Sequence, residues 1–289
     1  MKWIKWIDTM VAVAIVALVM MARGPSMLWA AALNANATCG STPCGSGFNM
    51  SYHDFVNGPG KSSHGTVLIN GTNVSVGQCT LCHTPHNALQ SVMLWNHHIS
   101  NNTNFSWTDA TATMAGTQFA SFPNTYGGPT TKCLSCHDGS VSPSTINWFE
   151  GATPTPGTPS CTTTGGVTTC THAPAAGFNG IMNGTHPVAM PYPCGGVANS
   201  YNGVTTGAGL VFTEFLSNPN PNIQLYTDTG GPTGTISHAP STGCTGTNNG
   251  MECGSCHDVH NSAKVQDIDL LRGAISGSAG YLCNNCHNK

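Results

Sequence analysis

Four C-x-x-C-H segments contain eight of the fourteen cysteines in the chain. They are CTLCH (Cys79, Cys82, His83), CLSCH (Cys133, Cys136, His137), CGSCH (Cys253, Cys256, His257) and CNNCH (Cys283, Cys286, His287). On a helical turn, two cysteines three residues apart lie on one side and can form thioethers with the two vinyl groups of one haem. The following histidine then projects under the ring and can ligate the iron. The sequence therefore predicts four covalently attached haem c groups, with these four histidines as proximal ligands.

Two other uses of paired cysteines fit the sequence less well. Zinc sites also use C-x-x-C pairs, but they do not require a histidine directly after the second cysteine in every case. Thioredoxin-like redox chemistry needs one such pair in a βαβ context, which the sequence does not offer. By chance, a chain of this cysteine and histidine content would contain roughly 0.03 such segments.

The histidines that remain outnumber the predicted irons. The chain has thirteen histidines, and removing the four proximal ligands leaves His53, His64, His86, His97, His98, His172, His186, His238 and His260. Methionine is the other common sixth ligand of a c-type haem, but few methionines follow residue 37. Bis-histidine ligation is therefore the favoured interpretation.

Two segments carry an additional histidine three residues after the proximal one. His86 follows His83 in CTLCHTPH, and His260 follows His257 in CGSCHDVH. Three residues cannot carry the chain around a porphyrin, and Pro85 stiffens the first of these paths. If His86 or His260 binds iron, it must therefore bind a different haem, which would bring two haems close together. The alternative is that each histidine only hydrogen-bonds nearby.

The amino terminus has the order of a secretory signal. Lys2 and Lys5 precede the apolar run MVAVAIVALVMMA, and small residues follow it. We expect residues 1–37 to be a signal peptide cleaved after Ala32 or Ala37, because the apolar run is shorter than the roughly 20 residues that a spanning helix needs. A retained membrane anchor is the alternative, and we expect no stable membrane span after cleavage.

The charge pattern excludes some classes of partner. Charged residues make up only 7% of the chain. After Ala37 the basic residues are Lys61, Lys132, Lys264, Arg272 and Lys289. With no basic patch, neither nucleic acid nor anionic lipid is an expected partner.

Six cysteines lie outside the four segments, and an even remainder in an exported chain predicts disulfides. The stretch CTTTGGVTTC is symmetric about Gly165-Gly166, a favourable two-residue hairpin turn. Counting outward places Cys161 opposite Cys170 in a non-hydrogen-bonded pair, where side chains approach closest. Proximity suggests Cys39 with Cys44, and elimination then leaves Cys194 with Cys244.

The chain offers little regular secondary structure. We expect a mostly irregular coil with short helices at the haem segments and a few short strands, including one over GLVFTEFL and a helix near AKVQDIDLLRGA. Because the supply of apolar side chains is thin, the chain is expected to fold around its haems. Residues 38–289 are interpreted as one tetrahaem domain in which a Thr/Gly/Pro-rich segment, about 141–250, separates two haem pairs.

The ordered set of motifs resembles a known family. The stretches YHDF, CTLCHTPHN, LWNHH, CLSCHDG, THPVAM, CGSCHDVHN and LCNNCHNK run in order from Tyr52 to Lys289. Together they resemble the extracellular tetrahaem c-type cytochrome filaments, or cytochrome nanowires. The resemblance implies a multihaem cytochrome c fold organised around four stacked bis-histidine haems, and head-to-tail polymerisation outside the cell.

The resemblance also implies which histidines are distal ligands. Carried over position by position, they are His53, His86, His186 and His260, with His97 as a reserve. One iron is expected to take its distal histidine from the next subunit. The sequence does not assign a distal histidine to each haem.

Three functions remain to be compared. The favoured one is electron transfer through an extracellular filament, with redox proteins or extracellular acceptors as partners. A soluble periplasmic tetrahaem shuttle uses the same chemistry without assembly. A multihaem oxidoreductase is less favoured, because an enzyme needs an iron with an open coordination position and spare histidines are abundant here. We therefore expect an electron carrier, not an enzyme.

Overall fold

The computed structural model describes most of the chain after residue 37. The described residues are 38–39, 42–43, 53–55, 66–76, 79–89, 94–108, 118–159, 161–165, 167–170, 176–205, 210–228, 236–244, 248–260, 270–273 and 282–288. The predicted signal peptide, residues 1–37, lies outside them. In the described part of the chain, no helix is long and apolar enough to cross a membrane.

Irregular backbone dominates the fold, as the sequence predicted. The strands are β1 (Thr38–Cys39), β2 (Thr42–Pro43), β3 (Thr66–Ile69), β4 (Thr72–Ser75), β5 (Asn104–Phe105), β6 (Phe122–Pro123), β7 (Cys161–Thr164), β8 (Val167–Cys170), β9 (Met190–Pro191), β10 (Ser200–Tyr201), β11 (Val204–Thr205), β12 (Gln224–Asp228), β13 (Ile236–Thr242) and β14 (Asn248–Met251). Most of them pair as isolated two-stranded antiparallel ribbons. The four C-x-x-C-H segments are called here, after their predicted role, the first to fourth haem segments in chain order. One larger antiparallel sheet has the order β13-β12-β14-β9, and β14 leads directly into the third of them, CGSCH.

The helices are short and coincide with haem segments. Helix α1 (Pro129–His137) contains CLSCH, α2 (Cys253–Cys256) contains the cysteines of CGSCH, and a 3₁₀ turn (Leu282–Asn285) begins CNNCH. Further 3₁₀ turns span Phe178–Gly180, Cys194–Gly196 and Phe212–Glu214. Helix α1 starts with a proline in its first turn, which suits that position because its missing N–H would have no helical partner.

One strand prediction was wrong. GLVFTEFL forms a 3₁₀ turn at Phe212–Glu214, and only Phe215 makes a β-bridge, to His287. The apolar pattern indicates burial but not which neighbour is available. Here the neighbour is the short carboxy-terminal haem segment, which offers too few residues for a ladder. Most of the predicted helix near AKVQDIDLLRGA lies outside the described residues, and residues 270–273 are not helical.

Among the residues that the structure describes, apolar side chains collect in three small clusters. The largest is built from aromatic residues around Phe105, Phe122 and Tyr126. The second joins Tyr192, Ile223 and Leu225 to Cys286 of the fourth haem segment, and the third lies around Val67, Val76, Leu81 and Ile146. The stretch at 141–250 thus does more than separate two halves, because it packs against the carboxy-terminal haem segment.

Two predicted disulfides are confirmed. Strands β7 and β8 pair in the expected register, with Cys161 opposite Cys170, and the two cysteines are bonded at a Cα–Cα distance of 4.0 Å. Cys194 and Cys244 are also bonded, with a Cα–Cα distance of 5.7 Å. The pair predicted between Cys39 and Cys44 lies outside what the structure describes.

Candidate haem sites

The four C-x-x-C-H segments form helical turns of the kind that the predicted chemistry needs. In three of them the histidine amide donates to the carbonyl oxygen of the first cysteine, at 2.8 Å for His83, 3.0 Å for His257 and 2.8 Å for His287. The remaining segment lies within α1. These bonds close one helical turn, which puts both thiols on the same side and leaves the histidine at its end.

A short strand-like segment holds the histidine of three of these turns. After Cys79–His83, the amide of Thr84 donates to the carbonyl of Leu94, and the amide of Asn96 donates to the carbonyl of Cys82, both at 2.9 Å. The same pair of backbone hydrogen bonds recurs at two other segments. The amide of Asp258 donates to the carbonyl of Leu270 at 2.6 Å, and the amide of Arg272 donates to the carbonyl of Cys256 at 2.8 Å. The amide of Asn288 donates to the carbonyl of Glu214, and the amide of Leu216 donates to the carbonyl of Cys286, both at 2.8 Å.

In each supporting segment, the residue between the two hydrogen-bonding positions forms a β-bridge with the predicted proximal histidine. These residues are Trp95 opposite His83, Leu271 opposite His257 and Phe215 opposite His287. The sequence did not reveal this repeat, because the supporting segment lies after the motif in two cases and some 70 residues before it in the third. The three supporting segments have one feature in common, which is a large apolar residue whose two neighbours form backbone hydrogen bonds with the motif.

Three predicted distal histidines lie opposite three predicted proximal ones. The ring centroids are 6.4 Å apart for His83 and His260, 6.0 Å for His53 and His137, and 6.3 Å for His186 and His287. Two imidazoles that share one metal through bonds of about 2 Å have ring centroids roughly 6 Å apart. Each of these pairs therefore has the spacing that a six-coordinate iron requires.

The pKa values of the distal histidines suit iron ligation. Burial, followed by repulsion from His137, lowers the pKa of His53 to about 4. Partial desolvation by neighbouring residues also lowers the pKa of His186 and of His260, although both side chains keep contact with solvent. A metal ligand must be the neutral imidazole, so these environments favour the form that binds iron.

His86 and His97 occupy different environments. His86 is exposed, and the Thr84 hydroxyl donates to its carbonyl oxygen at 2.8 Å. His97 is buried, with Nδ1 2.7 Å from the carbonyl oxygen of His98 and Nε2 2.9 Å from that of Ser142. Because backbone carbonyls contact both of its ring nitrogens, the His97 side chain has a structural role in this conformation.

Two other spare histidines, His64 and His172, lie outside the described residues, and only the backbone of His238 is described.

The second and third haem segments meet in space. The thiols of Cys133 and Cys253 are within hydrogen-bonding distance of each other, although 120 positions separate them in the sequence. Gly254, inside CGSCH, lies so close to Tyr226 that an added Cβ would be 2.2 Å from the tyrosine hydroxyl oxygen. A glycine is therefore required at this point of α2, where α1 and the sheet converge.

Burial opposes ionisation of several of the thiols in the C-x-x-C-H segments. Burial raises the pKa of the Cys82, Cys136 and Cys286 thiols to about 12, so at neutral pH they are protonated and not thiolates. Within the described ranges, no three side chains of His, Cys, Asp or Glu converge on one point. A haem iron, by contrast, takes only its two axial ligands from the protein.

An apolar cavity of about 180 Å³ adjoins one of the histidine pairs. It is lined by His186, His287 and Cys286, together with apolar side chains such as Met190 and Phe215. A free cysteine, two facing imidazoles and an apolar wall are the kinds of contact that a haem c would need. The residues present therefore fit the group that the motifs predict.

No protein-family model matches the chain, and a search of curated proteins finds no match.

Proposed function

We propose that the chain is a bis-histidine tetrahaem c-type cytochrome that transfers electrons. The observation that carries this proposal is the spacing of three histidine pairs, each of which joins the histidine of a C-x-x-C-H turn to a second histidine 6.0–6.4 Å away. A chain with only structural histidines has no reason to repeat this spacing at three such motifs.

The chain's residues hold the haems in defined roles. The cysteines of each segment would carry the thioethers, and His83, His137, His257 and His287 would be the proximal ligands. His260, His53 and His186 would be the distal ligands opposite His83, His137 and His287, respectively. When bound, each haem supplies an iron that exchanges one electron.

Both axial positions are occupied in the three haems whose histidine pairs are named above, so these residues keep substrates away from those irons. Electron transfer is then outer-sphere, and the protein sets the potential through its ligands and nearby charges. Bis-histidine ligation gives a lower potential than His/Met ligation would. This arrangement favours a carrier over an oxidoreductase.

The contact between the second and third segments supports a continuous electron path. Cys133 and Cys253 touch, so the haems that they carry would be neighbours. His260 follows the third segment in sequence but faces His83 of the first. One short stretch, His257 to His260, would thus hold two irons, as the spacing of the additional histidine predicted.

Assembly into an extracellular filament is the finer part of the proposal. It rests on the resemblance of the motifs and on the exposed position of His86, from which the ring could reach the iron of a second copy. A periplasmic shuttle is the alternative, and it requires no such reach. Electron microscopy of the exported protein separates the two, because filaments support assembly and discrete single particles under several conditions contradict it.

The haem proposal has a direct test. Intact-mass measurement of the exported protein should give four covalently attached haems, and the spectrum of the oxidised protein should be that of low-spin iron. Replacing both Cys283 and Cys286 by alanine should remove one haem. A matched control is the double replacement of Cys161 and Cys170, which should leave all four. A chain that carries no haem would contradict the proposal.

A further inference from the structure

A fully buried carboxylate lies where the second and third haem segments meet. Glu252 is 0% exposed and directly precedes Cys253. It caps α2 through a reciprocal pair of bonds, in which its own amide donates to the Ser255 hydroxyl at 3.0 Å. Capping alone would be satisfied by an exposed side chain, so the complete burial of this acid calls for a further reason.

Every group that contacts the carboxylate oxygens donates to them. Oε1 accepts from the hydroxyls of Tyr126 and Tyr201, the latter at 2.8 Å. Oε2 accepts from the amide of Thr130 at 3.0 Å and from its hydroxyl. That hydroxyl itself accepts from the amide of Cys253 at 3.1 Å, so its hydrogen is directed to Glu252.

The pattern of donors fits an ionised side chain. Oε2 faces two groups that must donate, which leaves no position for a proton on that oxygen. Burial raises the pKa of the Glu252 carboxyl, and the hydrogen bonds from Thr130, Tyr126 and Tyr201 oppose this shift. Burial and the nearby carboxylate also raise the pKa of both tyrosines, which keeps their hydroxyls protonated as donors.

The two buried basic residues of this region are Lys132 and Arg272. Lys132 is 3% exposed and its Nζ lies 3.5 Å from the Thr131 hydroxyl, in α1. Arg272 donates to the carbonyl of Gly254 at 3.0 Å and lies 3.7 Å from the carboxylate of Asp258. The Glu252 charge acts on Lys132. Neither cation donates a hydrogen bond to Glu252 that would neutralise it.

The carboxylate is adjacent to the attachment points of two haems. Glu252 is bonded along the chain to Cys253, and Thr130, which binds its Oε2, lies one turn before Cys133 in α1. Cys133 and Cys253 also contact each other. A charge at this position acts on both haems through protein of low dielectric constant, where Coulomb interactions are stronger than in water.

We propose that Glu252 is a fixed buried anion that lowers the reduction potentials of the two haems attached at Cys133/Cys136 and Cys253/Cys256. This inference rests on the proposed function. Reduction adds an electron to each haem, and an adjacent negative charge opposes that addition. The two central haems would thereby be distinguished from those at the first and fourth segments, which the carboxylate does not adjoin.

The test is a potentiometric titration of the haem-loaded protein with Glu252→Gln, compared with wild type at the same pH. Half of the absorbance change should move to higher potential, because the variant loses the anion, whereas Arg272 keeps Asp258 as its partner. The expected shift is at least tenfold in the ratio of reduced to oxidised haem at a fixed potential, which is about 59 mV for a one-electron couple. An unshifted titration, or an equal shift of all four haems, overturns the proposal.

Two controls separate charge from structure. Tyr201→Phe removes a hydrogen bond from the same carboxylate but keeps its charge, and an upward shift equal to that of Glu252→Gln would overturn the proposal. Glu150→Gln removes an equal charge from an exposed turn and should leave the titration unchanged. The infrared difference spectrum between wild type and Glu252→Gln should contain a carboxylate band, and a protonated carboxyl band in its place would also overturn it.

A second variant keeps the test decisive if Glu252→Gln does not accumulate. Lys132→Met removes a cation that acts on the same site, so the same half of the titration should move to lower potential. An absent or upward shift overturns the premise that a charge buried beside α1 acts on these two haems, on which the role of Glu252 depends. A chain without haem overturns both proposals, whereas a four-haem chain with unshifted potentials overturns this one alone.

Discussion

The replacement of His260 by alanine tests the most specific pairing in the structure. The His260 ring lies 6.4 Å from that of His83, with an angle of 21° between the two planes. Without it, the haem proposed at Cys79 and Cys82 would lose its distal ligand. Because this is one haem of four, about a quarter of the iron should change from low to high spin.

The fold should survive this change. His260 is exposed, and its amide, which alanine retains, donates to the side chain of Asp258 at 3.1 Å. Haem content should therefore stay at four, and only the spin state of one iron should change. Electron paramagnetic resonance of the oxidised protein measures the high-spin fraction, and intact mass measures the haem number.

His97→Ala is the matched control for this experiment. It removes a buried histidine whose nitrogens face the carbonyls of His98 and Ser142, so it should lower stability without producing high-spin iron. If all four haems stay low spin in His260→Ala, or if His97→Ala gives the high-spin signal, the pairing of His260 with His83 is wrong.

Three further changes have defined outcomes. His86→Ala should convert one haem to high spin by the same measurement, and four low-spin haems would show that His86 is not a ligand. Replacing both cysteines of Cys161–Cys170 by serine should lower the free energy of unfolding in urea by about 2.5 kcal/mol, and the same change at Cys194–Cys244 should lower it by about 4 kcal/mol. The two losses differ because the closed loops differ in length, with sequence separations of 9 and 50. Equal losses would contradict this reasoning. Asp138→Ala should lower the free energy of unfolding by about 3 kcal/mol in the same assay. The fully buried Asp138 carboxylate accepts from Asn102 at 2.7 Å and from the amide of Ser140 at 2.9 Å, and its removal leaves both donors unpaired. A decrease below about 1 kcal/mol would show that water replaces the carboxylate.

Local features of the fold were predictable because they depend on neighbours in the sequence. The C-x-x-C-H spacing predicts a helical turn wherever it occurs, and all four segments form one. The hairpin at Gly165-Gly166 fixes its own register, so counting residues outward from the turn is enough to place Cys161 opposite Cys170. The scarcity of long apolar periodicities likewise predicted irregular backbone.

Features that depend on contacts between distant segments were not predictable. GLVFTEFL was expected to be a strand, but its neighbour is the fourth haem segment, and this allows only a bridge at Phe215. Glu252 has no sequence signal, because its environment is assembled from Tyr126, Thr130 and Tyr201. The supporting residues Trp95 and Leu271 are recognisable only from their hydrogen-bond partners.

The sequence by itself therefore predicted the chemistry: four C-x-x-C-H turns suited to haem attachment, four expected proximal histidines and a surplus of histidines from which distal ligands could come. It could also exclude one pairing, since three residues cannot span a porphyrin between His83 and His86. Only the tertiary structure decided that His260 faces His83, that His53 faces His137 and that His186 faces His287. The physical reason is that attachment chemistry is specified by residues within one turn, whereas an axial ligand on the opposite face must come from a segment that the rest of the fold brings within about 6 Å.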